Sequence, residues 1–196
     1  MKIVLATSNP GKVREIKEIL SEHEIVSMKE EGFTQDIIED GKTFEENALI
    51  KARAIHKATG LPTLADDSGY QIEEYNGWPG VETARMLGPD KATNDFSEER
   101  NEYILNKMKG LPKERRKAKH VTCIAYIDKN GNEVITLGEE NGYIAEFPRG
   151  KNGFAFDPIF ELEDGRTSAE LTKEEKNSIS SRRRALEKMK NYIKEN

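Results

Sequence analysis

The sequence is poor in cysteine: Cys123 is the single one among 196 residues. One cysteine excludes an intramolecular disulfide and a cysteine-based zinc cluster. Cys123 lies in an apolar run over residues 121–125, which predicts a small, buried hydrophobic residue. A chain of this length buries roughly 70% of its unfolded surface, so it can fold without disulfides or a structural metal.

Long apolar runs and an excess of positive charge are also missing. No run approaches the ~18 apolar residues of a membrane-spanning helix, and the apolar start at residues 1–6 is too short for a signal peptide. We therefore expect a soluble, cytoplasmic protein without a membrane partner. The 36 acidic residues outnumber the 31 basic ones, which gives a net charge of −5. Because proteins that bind duplex DNA present a strongly basic face, we expect no nucleic-acid partner.

The first part of the chain alternates strand-like and helix-like segments. Residues 2–7 and 24–28 are apolar and predict strands. Between them a helix is predicted, which Asn9 can cap and for whose first turn Pro10 is suited. The polar stretch over residues 30–42 predicts a loop.

A second helix is predicted to begin at a capping box over residues 43–46 and to end near Thr59, with Gly60 as its C-cap. Residues 62–66 predict a short strand that runs into Asp66-Asp67-Ser68-Gly69. The later predicted elements are a helix over residues 94–109, strands over residues 119–127 and 133–137 around the hairpin pair Asn130-Gly131, a third strand over residues 142–147, and a helix from Ser178 or Ser180 to about residue 194. This order predicts one mixed α/β domain over residues 1–196, with an antiparallel portion in its second half.

The first candidate site joins the first strand to the first helix. It consists of Thr7, Ser8, Asn9, Pro10, Gly11 and Lys12. Backbone N–H groups at a helix N-terminus carry partial positive charge and favour an anion, to which Lys12 adds a full charge. The spacing differs from that of a Walker A loop. An ordinary capped turn is the alternative.

Two acidic segments are candidates for a divalent metal. Asp66 and Asp67 follow an apolar strand and would raise each other's pKa unless they met a cation. Mg²⁺ would relieve this repulsion and leave room for phosphates, although we expect only one of two adjacent strand residues to reach the site. Glu39 precedes the second helix, on which Asn47 and Lys51 share a face. A surface turn and a solvated helix face are the alternatives.

A glycine-rich loop over residues 148–158 contains two aromatic residues and an acid. Phe154 or Phe156 could stack on a flat ring, and Asp157 could accept hydrogen bonds from ring N–H groups. Burial of both phenylalanines in the core is the alternative.

Three consecutive arginines, at positions 182–184, have the composition of a nucleic-acid patch. On a helix they would fan over nearly a full turn and could not form one contact face. We therefore expect one of them in a site and the others in solvent.

Together these segments resemble the Ham1-like family, the inosine/xanthosine triphosphate pyrophosphatases that remove deaminated purine nucleotides from nucleotide pools. The matching segments are residues 6–12, 41–48, 64–69, 79–81, 84–85, 148–150, 153–160 and 175–177. The resemblance implies a homodimeric α/β protein with a long mixed β-sheet, flanking helices and an active-site cleft between two lobes. It also implies hydrolysis of nucleoside triphosphates such as ITP, dITP and XTP to the monophosphate and pyrophosphate, with Mg²⁺ as the cofactor.

The resemblance implies a role for individual residues as well. Glu39 and Asp67 would bind Mg²⁺, and Asp67 would also orient or deprotonate the attacking water. Phe154 would stack on the base, and Arg182 would reach its 6-oxo edge. The remaining implied substrate-binding residues are Thr7, Ser8, Asn9, Pro10, Gly11, Lys12, Lys51 and Lys176 at the phosphates, Ser68 beside the substrate, and Ala155, Phe156, Asp157 and Ser181 at the base pocket.

One position departs from the family pattern. The family usually has Ser-His-Arg near the last helix, whereas this sequence has Ser180-Ser181-Arg182. Ser181 is shorter and neutral, and a missing hydrogen bond at a polar recognition site costs on the order of 1–3 kcal/mol. The alternatives to the implied activity are therefore a pyrophosphatase of altered or broader base preference and a nucleotide-binding module without turnover. Smaller departures are Ala155 and Phe156, where Gly and Tyr are usual.

Overall fold

The computed structural model of the protein describes residues 1–194. Its elements are the strands β1 (Lys2–Leu5), β2 (Glu24–Ser27), β3 (Thr63–Ile72), β4 (Lys117–Ile127), β5 (Glu133–Ile144) and β6 (Phe160–Glu161), and the helices α1 (Pro10–Ile19), α2 (Phe44–Thr59), α3 (Ser97–Lys107), α4 (Lys173–Ile179) and α5 (Ser181–Lys194). The strands form a six-stranded sheet in the order β2-β1-β3-β4-β5-β6. Strand β1 is parallel to β2 and β3, whereas β5 and β6 are antiparallel. The predicted mixed α/β fold is confirmed.

The chain packs into two compact units. Unit 1 comprises residues 1–68, residues 122–138 and the chain from Ser181 onward, and unit 2 comprises residues 69–121 and 139–180. Strands β3, β4 and β5 contribute residues to both units. A single pyrophosphatase domain over residues 1–196 stays a prediction. Among residues 1–194, none of the helices has the length and apolar content that crossing a membrane requires.

The core of unit 1 brings together β1, α1 and α5. Its apolar cluster includes Ile3 and Leu5 of β1, Ile16 and Ile19 of α1, and Leu186, Met189 and Ile193 of α5. Spacings of three and four positions put the members from each helix on one face. Burial of side chains of this size is worth about 1.5–3 kcal/mol each.

The ends of α1 and α2 follow the predicted capping residues. Asn9 Oδ1 accepts a hydrogen bond from the Gly11 N–H at 2.9 Å, and Pro10 is the first residue of α1. Thr43 Oγ1 accepts one from the Glu46 N–H at 3.1 Å. Gly60 ends α2 in the left-handed conformation, with φ at 66°.

Unit 2 has an aromatic core. The Tyr70 ring lies 4.8 Å from the Phe156 ring and 5.1 Å from the Phe160 ring, measured between centroids. The His120 ring stacks on the Tyr70 ring, with 4.4 Å between the two centroids. Ile104 of α3 and Met108, the residue directly after this helix, belong to the same cluster, so the helix and the aromatic residues share one core.

Two strands are longer than predicted. Strand β3 is predicted to end at residue 66 but continues through residues 66–69, where a surface turn was the alternative. The strand can continue because the buried carboxylates of Asp66 and Asp67 are paired with cations. Strand β5 runs without a break through Gly138 and Gly142, where the sequence predicts two separate strands. A Cβ atom at Gly138 would lie 2.0 Å from the Ser181 carbonyl oxygen, so the glycine permits a close backbone approach and does not end the strand.

The last predicted helix is α5, and α4 directly before it was not predicted. Ser180, whose ψ of 153° is extended, ends α4 and stands directly before α5. Of the two residues proposed as the start of the last helix, Ser180 therefore marks the boundary, and Ser178 lies inside α4. The predicted helix over residues 94–109 is α3, preceded by a short 3-10 turn at Asn94–Phe96.

Candidate active site

The segment between β1 and α1 has the predicted helix-terminus geometry. The Asn9 N–H donates to Thr7 Oγ1 at 3.2 Å, and Asn9 itself caps α1. Thr7, Ser8 and Pro10 line a groove of about 530 Å³. Its other lining residues include the cations Arg14, Lys17 and Lys29, which sequence reasoning missed because they look like the solvated face of a helix and a loop. The acids Glu18 and Glu30 also line the groove, and Lys17 Nζ lies 3.5 Å from Glu30 Oε2, so part of its positive charge is balanced. Binding of an anion there stays a prediction.

Lys12, at the end of this segment, is bound to a buried carboxylate. Its Nζ lies 2.6 Å from Asp66 Oδ1 and also donates to the Asp66 carbonyl oxygen at 3.3 Å. Asp66 is fully buried in β3. Asp66 therefore balances part of the positive charge of Lys12.

Arg182 holds the other side of Asp66. Its Nε donates to Asp66 Oδ2 at 2.7 Å, its Nη2 donates to Ser68 Oγ at 3.2 Å, and its Nη1 is bonded to Glu15. Burial alone would raise the pKa of Asp66, but the charges of Arg182 and Lys12 outweigh burial and hold the pKa well below its usual range. Arg182 is only 2% exposed, so its guanidinium lies in an ion cluster of unit 1. Its contact with a base edge stays a prediction.

Glu15 is a further residue that sequence reasoning missed. It lies on the buried stripe of α1 together with Gly11 and Ile19, four positions away on either side. An acid on an apolar stripe is the signal that could have identified it, because a buried charge needs a partner.

Lys51 joins the two predicted metal ligands. Its Nζ donates to Glu39 Oε2 at 2.7 Å and to Asp67 Oδ1 at 2.9 Å. Burial would lower the pKa of Lys51, but the two carboxylates outweigh it and raise the pKa. Burial raises the pKa of Asp67, and the charge of Glu39 adds to this effect. The charges of Lys51 and Lys12 lower the pKa but do not outweigh burial. Glu39, Lys51 and Asp67 thus form one charged group in unit 1.

This group fits a divalent cation. Asp67 Oδ2 is buried and has no hydrogen-bond partner among residues 1–194. No group of three or more His, Cys, Asp and Glu side chains in that range is arranged to hold a metal by itself. Two carboxylates suit Mg²⁺, which usually keeps several waters and binds substrate phosphates as further ligands.

The loop after residue 152 is built around Asp157. Asp157 Oδ2 accepts hydrogen bonds from the Phe154 N–H at 2.7 Å and from Lys176 Nζ at 2.6 Å. Lys176 Nζ also lies 4.7 Å from the centroid of the Phe154 ring, which is a cation–π distance. The structure thus brings together Phe154, Asp157 and Lys176 in unit 2, with the ring half-buried and the carboxylate buried.

Phe156 and Asp157 both have contacts inside unit 2. The Phe156 ring is fully buried in the aromatic core, as the alternative expectation had it, and its predicted place at the base pocket stays a prediction. Asp157 directs its carboxylate to the loop and to Lys176, so its contact with base N–H groups stays a prediction. Ala155 has a φ of 53°, in the left-handed region.

Ser181, the position that departs from the family pattern, is also buried. Its Oγ shares a hydrogen bond of 2.8 Å with Thr122 Oγ1 of β4. The side chain is fully enclosed. The structure therefore gives Ser181 a packing partner in unit 1, and its predicted contact with a base stays a prediction.

Comparison with known proteins gives one family. The model of the Ham1 family matches residues 3–192. A dITP/XTP pyrophosphatase of Thermoanaerobacter sp. (strain X514) is 45% identical over 98% of this chain and 96% of its own length, and one of Bacillus subtilis (strain 168) is 45% identical over 97% and 96%. The structure of a HAM1 protein from Coxiella burnetii is 40% identical, covers 100% of both chains and gives a TM-score of 0.87. The match over nearly the whole length shows that the chain belongs to the Ham1 family.

Proposed function

We propose that this protein hydrolyses the deaminated purine nucleoside triphosphates ITP, dITP and XTP to the monophosphate and pyrophosphate, with Mg²⁺ as its cofactor. Relatives that share almost half of its residues over nearly its full length are dITP/XTP pyrophosphatases. The observation that carries the proposal is the charged group of the half-buried Glu39 with the buried Lys51 and Asp67, in which Asp67 Oδ2 is left without a partner among residues 1–194. This activity would remove deaminated nucleotides from the nucleotide pool.

Binding of a triphosphate requires focused positive charge, because the chain as a whole carries a net charge of −5. The segment before α1 and the lysines Lys12, Lys51 and Lys176 would provide it. Each of these lysines is paired with a carboxylate in the structure. Bound Mg²⁺ would supply further positive charge to neutralise the phosphate oxygens. These cations stabilise the charge that develops on the leaving pyrophosphate.

Water attacks the α-phosphorus, the bond from the α-phosphorus to the bridging oxygen of the β-phosphate breaks, and pyrophosphate leaves with that oxygen. Asp67 Oδ2 orients the water and takes its proton, which suits a carboxylate whose pKa burial raises. Lys51 holds the other oxygen of Asp67 and thereby fixes the direction of Oδ2. Phe154 stacks on the base.

A broader base preference is the second candidate function, and Ser181 favours it. This residue is buried against Thr122 and has no side chain long enough to reach a 6-oxo group from that position. In that case ATP, which has a 6-amino group, would be cleaved at a rate closer to that of ITP. The charged group around Asp67 would work in the same way for either substrate class.

The test is pyrophosphate release from ITP, XTP, dITP, GTP and ATP in the presence of Mg²⁺, for the wild type and Asp67→Asn. We expect Asp67→Asn to lose about 10²- to 10⁴-fold in kcat, which is typical of a general base. Asp36→Asn, at an exposed position of unit 1, is the control and should keep wild-type activity. Near-normal turnover by Asp67→Asn would overturn the assignment. A stable ITP complex of the wild type without pyrophosphate release would instead indicate a binding module.

The proposal includes a homodimer that acts in the cytoplasm. Light scattering coupled to size-exclusion chromatography should give twice the chain mass of 22.2 kDa. A mass of one chain across micromolar concentrations would contradict the dimer.

A further inference from the structure

Asn101 of α3 contacts the loop that contains Phe154, although no sequence motif points to it. Its Nδ2 donates a hydrogen bond to the Ala155 carbonyl oxygen at 3.0 Å. The side chain is 6% exposed, and its Oδ1 has no hydrogen-bond partner among residues 1–194. A buried amide that leaves its acceptor unpaired needs an explanation, because such a group costs stability. The hydrogen bond to Ala155 is the favourable contact that connects this amide to the loop.

The backbone conformation of Ala155 needs a stabilising contact. Its φ of 53° lies in the left-handed region, which is unfavourable for a residue with a Cβ atom. An alanine returns to ordinary backbone angles unless neighbouring contacts prevent it. The hydrogen bond from Asn101 is such a contact, since it fixes the carbonyl group of the same residue.

The backbone angles of Ala155 decide where Phe154 and Asp157 lie relative to each other. Phe154 directly precedes Ala155 and Asp157 lies two positions after it, and the Phe154 N–H donates a hydrogen bond to Asp157 Oδ2 at 2.7 Å. Asp157 in turn holds Lys176 at 2.6 Å, above the Phe154 ring. A change at Ala155 would therefore move the ring away from its cation.

Asn101 is itself held firmly. Its neighbour Arg100 is buried and donates hydrogen bonds to the carbonyl oxygens of Lys91 and Thr93 and to Ser97 Oγ. Ile104, one turn further along α3, is fully buried in the core of unit 2. The helix can therefore act as a rigid support for the loop.

We propose that Asn101 is a positioning residue for base recognition: it holds Ala155 in the left-handed conformation and thereby fixes the Phe154 ring as a platform for the base. The inference rests on the proposed function, in which Phe154 stacks on the base. It predicts that Asn101 affects the affinity for the nucleoside part of the substrate and not the chemical step.

The first experiment compares Asn101→Ala with Asn106→Ala, an exposed asparagine on the same helix. For Asn101→Ala we expect KM for ITP to rise about fivefold, the effect of one lost hydrogen bond, with kcat unchanged. The inhibition constant of inorganic tripolyphosphate, which has no base, should stay at the wild-type value. Asn106→Ala should change none of these quantities. Thermal unfolding of each variant verifies that it is folded.

The second experiment tests the route through Ala155. Glycine adopts positive φ without strain, so Ala155→Gly no longer needs the hydrogen bond to keep the loop in place. In the Ala155→Gly background, Asn101→Ala should raise KM by less than about twofold, compared with about fivefold in the wild-type background. A residue with a merely structural role in α3 would give the same change in both backgrounds.

The outcomes separate the inference from the proposed function. Unchanged KM for ITP in Asn101→Ala, or an equal rise in KM for ITP and in the inhibition constant of tripolyphosphate, overturns the positioning role while the pyrophosphatase stands. A wild type that neither binds nor hydrolyses ITP overturns both. Should Asn101→Ala fail to fold, Asn101→Ser replaces it with the same readouts, since serine keeps the site polar but is too short to bond Ala155.

Discussion

The ammonium group of Lys51 lies 2.9 Å from Asp67 Oδ1, and both side chains are buried in unit 1. A second carboxylate, that of Glu39, lies 2.7 Å from the same ammonium group. Lys51 therefore contacts two acids, and Lys12 is a second lysine whose charge acts on both of them. The buried charges of Lys51 and Asp67 cost stability if their compensation is incomplete.

Removal of Lys51 should therefore destabilise the fold. We expect Lys51→Met to lower the free energy of unfolding by about 3–5 kcal/mol at neutral pH, because it removes the cation that contacts the buried carboxylate of Asp67 and the half-buried one of Glu39. Without Lys51 the pKa of Asp67 lies further above its unfolded value, so the folded variant loses stability as the pH rises towards that raised pKa. The penalty should be smaller at pH 5 than at pH 8. Urea denaturation at both values measures it.

Lys57→Met is the matched control, since Lys57 is an exposed residue of the same helix. It should change the free energy of unfolding by less than about 0.5 kcal/mol at either pH. An equal penalty for Lys51→Met at pH 5 and pH 8 would show that packing, and not charge, accounts for its effect.

A pair of glycine substitutions tests the loop around Asp157. Gly153 and Gly131 both have positive φ, at 77° and 85°, so alanine at either position costs on the order of 1 kcal/mol of stability. A Cβ atom at Gly153 would lie 2.0 Å from Asp157 Oδ2, whereas one at Gly131 would meet nothing within 4 Å. Gly153→Ala should therefore displace the carboxylate that holds Lys176 and Phe154.

We expect Gly153→Ala to raise KM for ITP about tenfold, which corresponds to the loss of one hydrogen bond to a charged group. Gly131→Ala should keep wild-type KM and kcat with a similar loss of stability. Steady-state kinetics with thermal unfolding on both variants makes the comparison. If both variants gave the same KM, the loop around Asp157 would not contribute to substrate binding.

Local signals were sufficient to predict much of the fold. Asn9, Thr43 and Gly60 predicted the ends of α1 and α2, because capping depends on residues a few positions apart. Cys123 is fully buried, as its apolar run predicted, and burial raises the pKa of its thiol to about 12. Local composition also caused the errors at residues 66–69 and at Gly138, where polar residues and a glycine look like breaks in a strand.

The partners of charged side chains were not predictable in the same way. Arg182 and Asp66 are 116 residues apart in the sequence, and nothing in either segment indicates that they bind each other. The contact between Asn101 and Ala155 spans 54 residues. Such pairs arise from tertiary packing, which the spacing of residue types along a single chain does not encode.

The pairing of Asp66 with Arg182 and Lys12 predicts an acid-dependent loss of stability. Because the pKa of Asp66 is far below its unfolded value when folded, its contribution is complete above pH ~4 and falls as the pH drops from there towards the folded value. In that range the unfolded chain binds one proton more at this position than the folded protein does. Asp66 alone then accounts for up to about 1.4 kcal/mol per pH unit in the slope of the unfolding free energy.

Asp66→Asn removes this share of the slope and leaves Arg182 with one carboxylate fewer. We expect its free energy of unfolding to be about 3–5 kcal/mol lower at pH 7, with a shallower decline between pH 4 and pH 3 than that of the wild type. Exposed Asp36→Asn should reproduce the wild-type slope. Urea denaturation in steps of half a pH unit gives both quantities. Parallel plots of unfolding free energy against pH for Asp66→Asn and the wild type would contradict this prediction. They would mean that Asp66 has the same pKa in the folded and the unfolded chain, so that the ion cluster does not lower it.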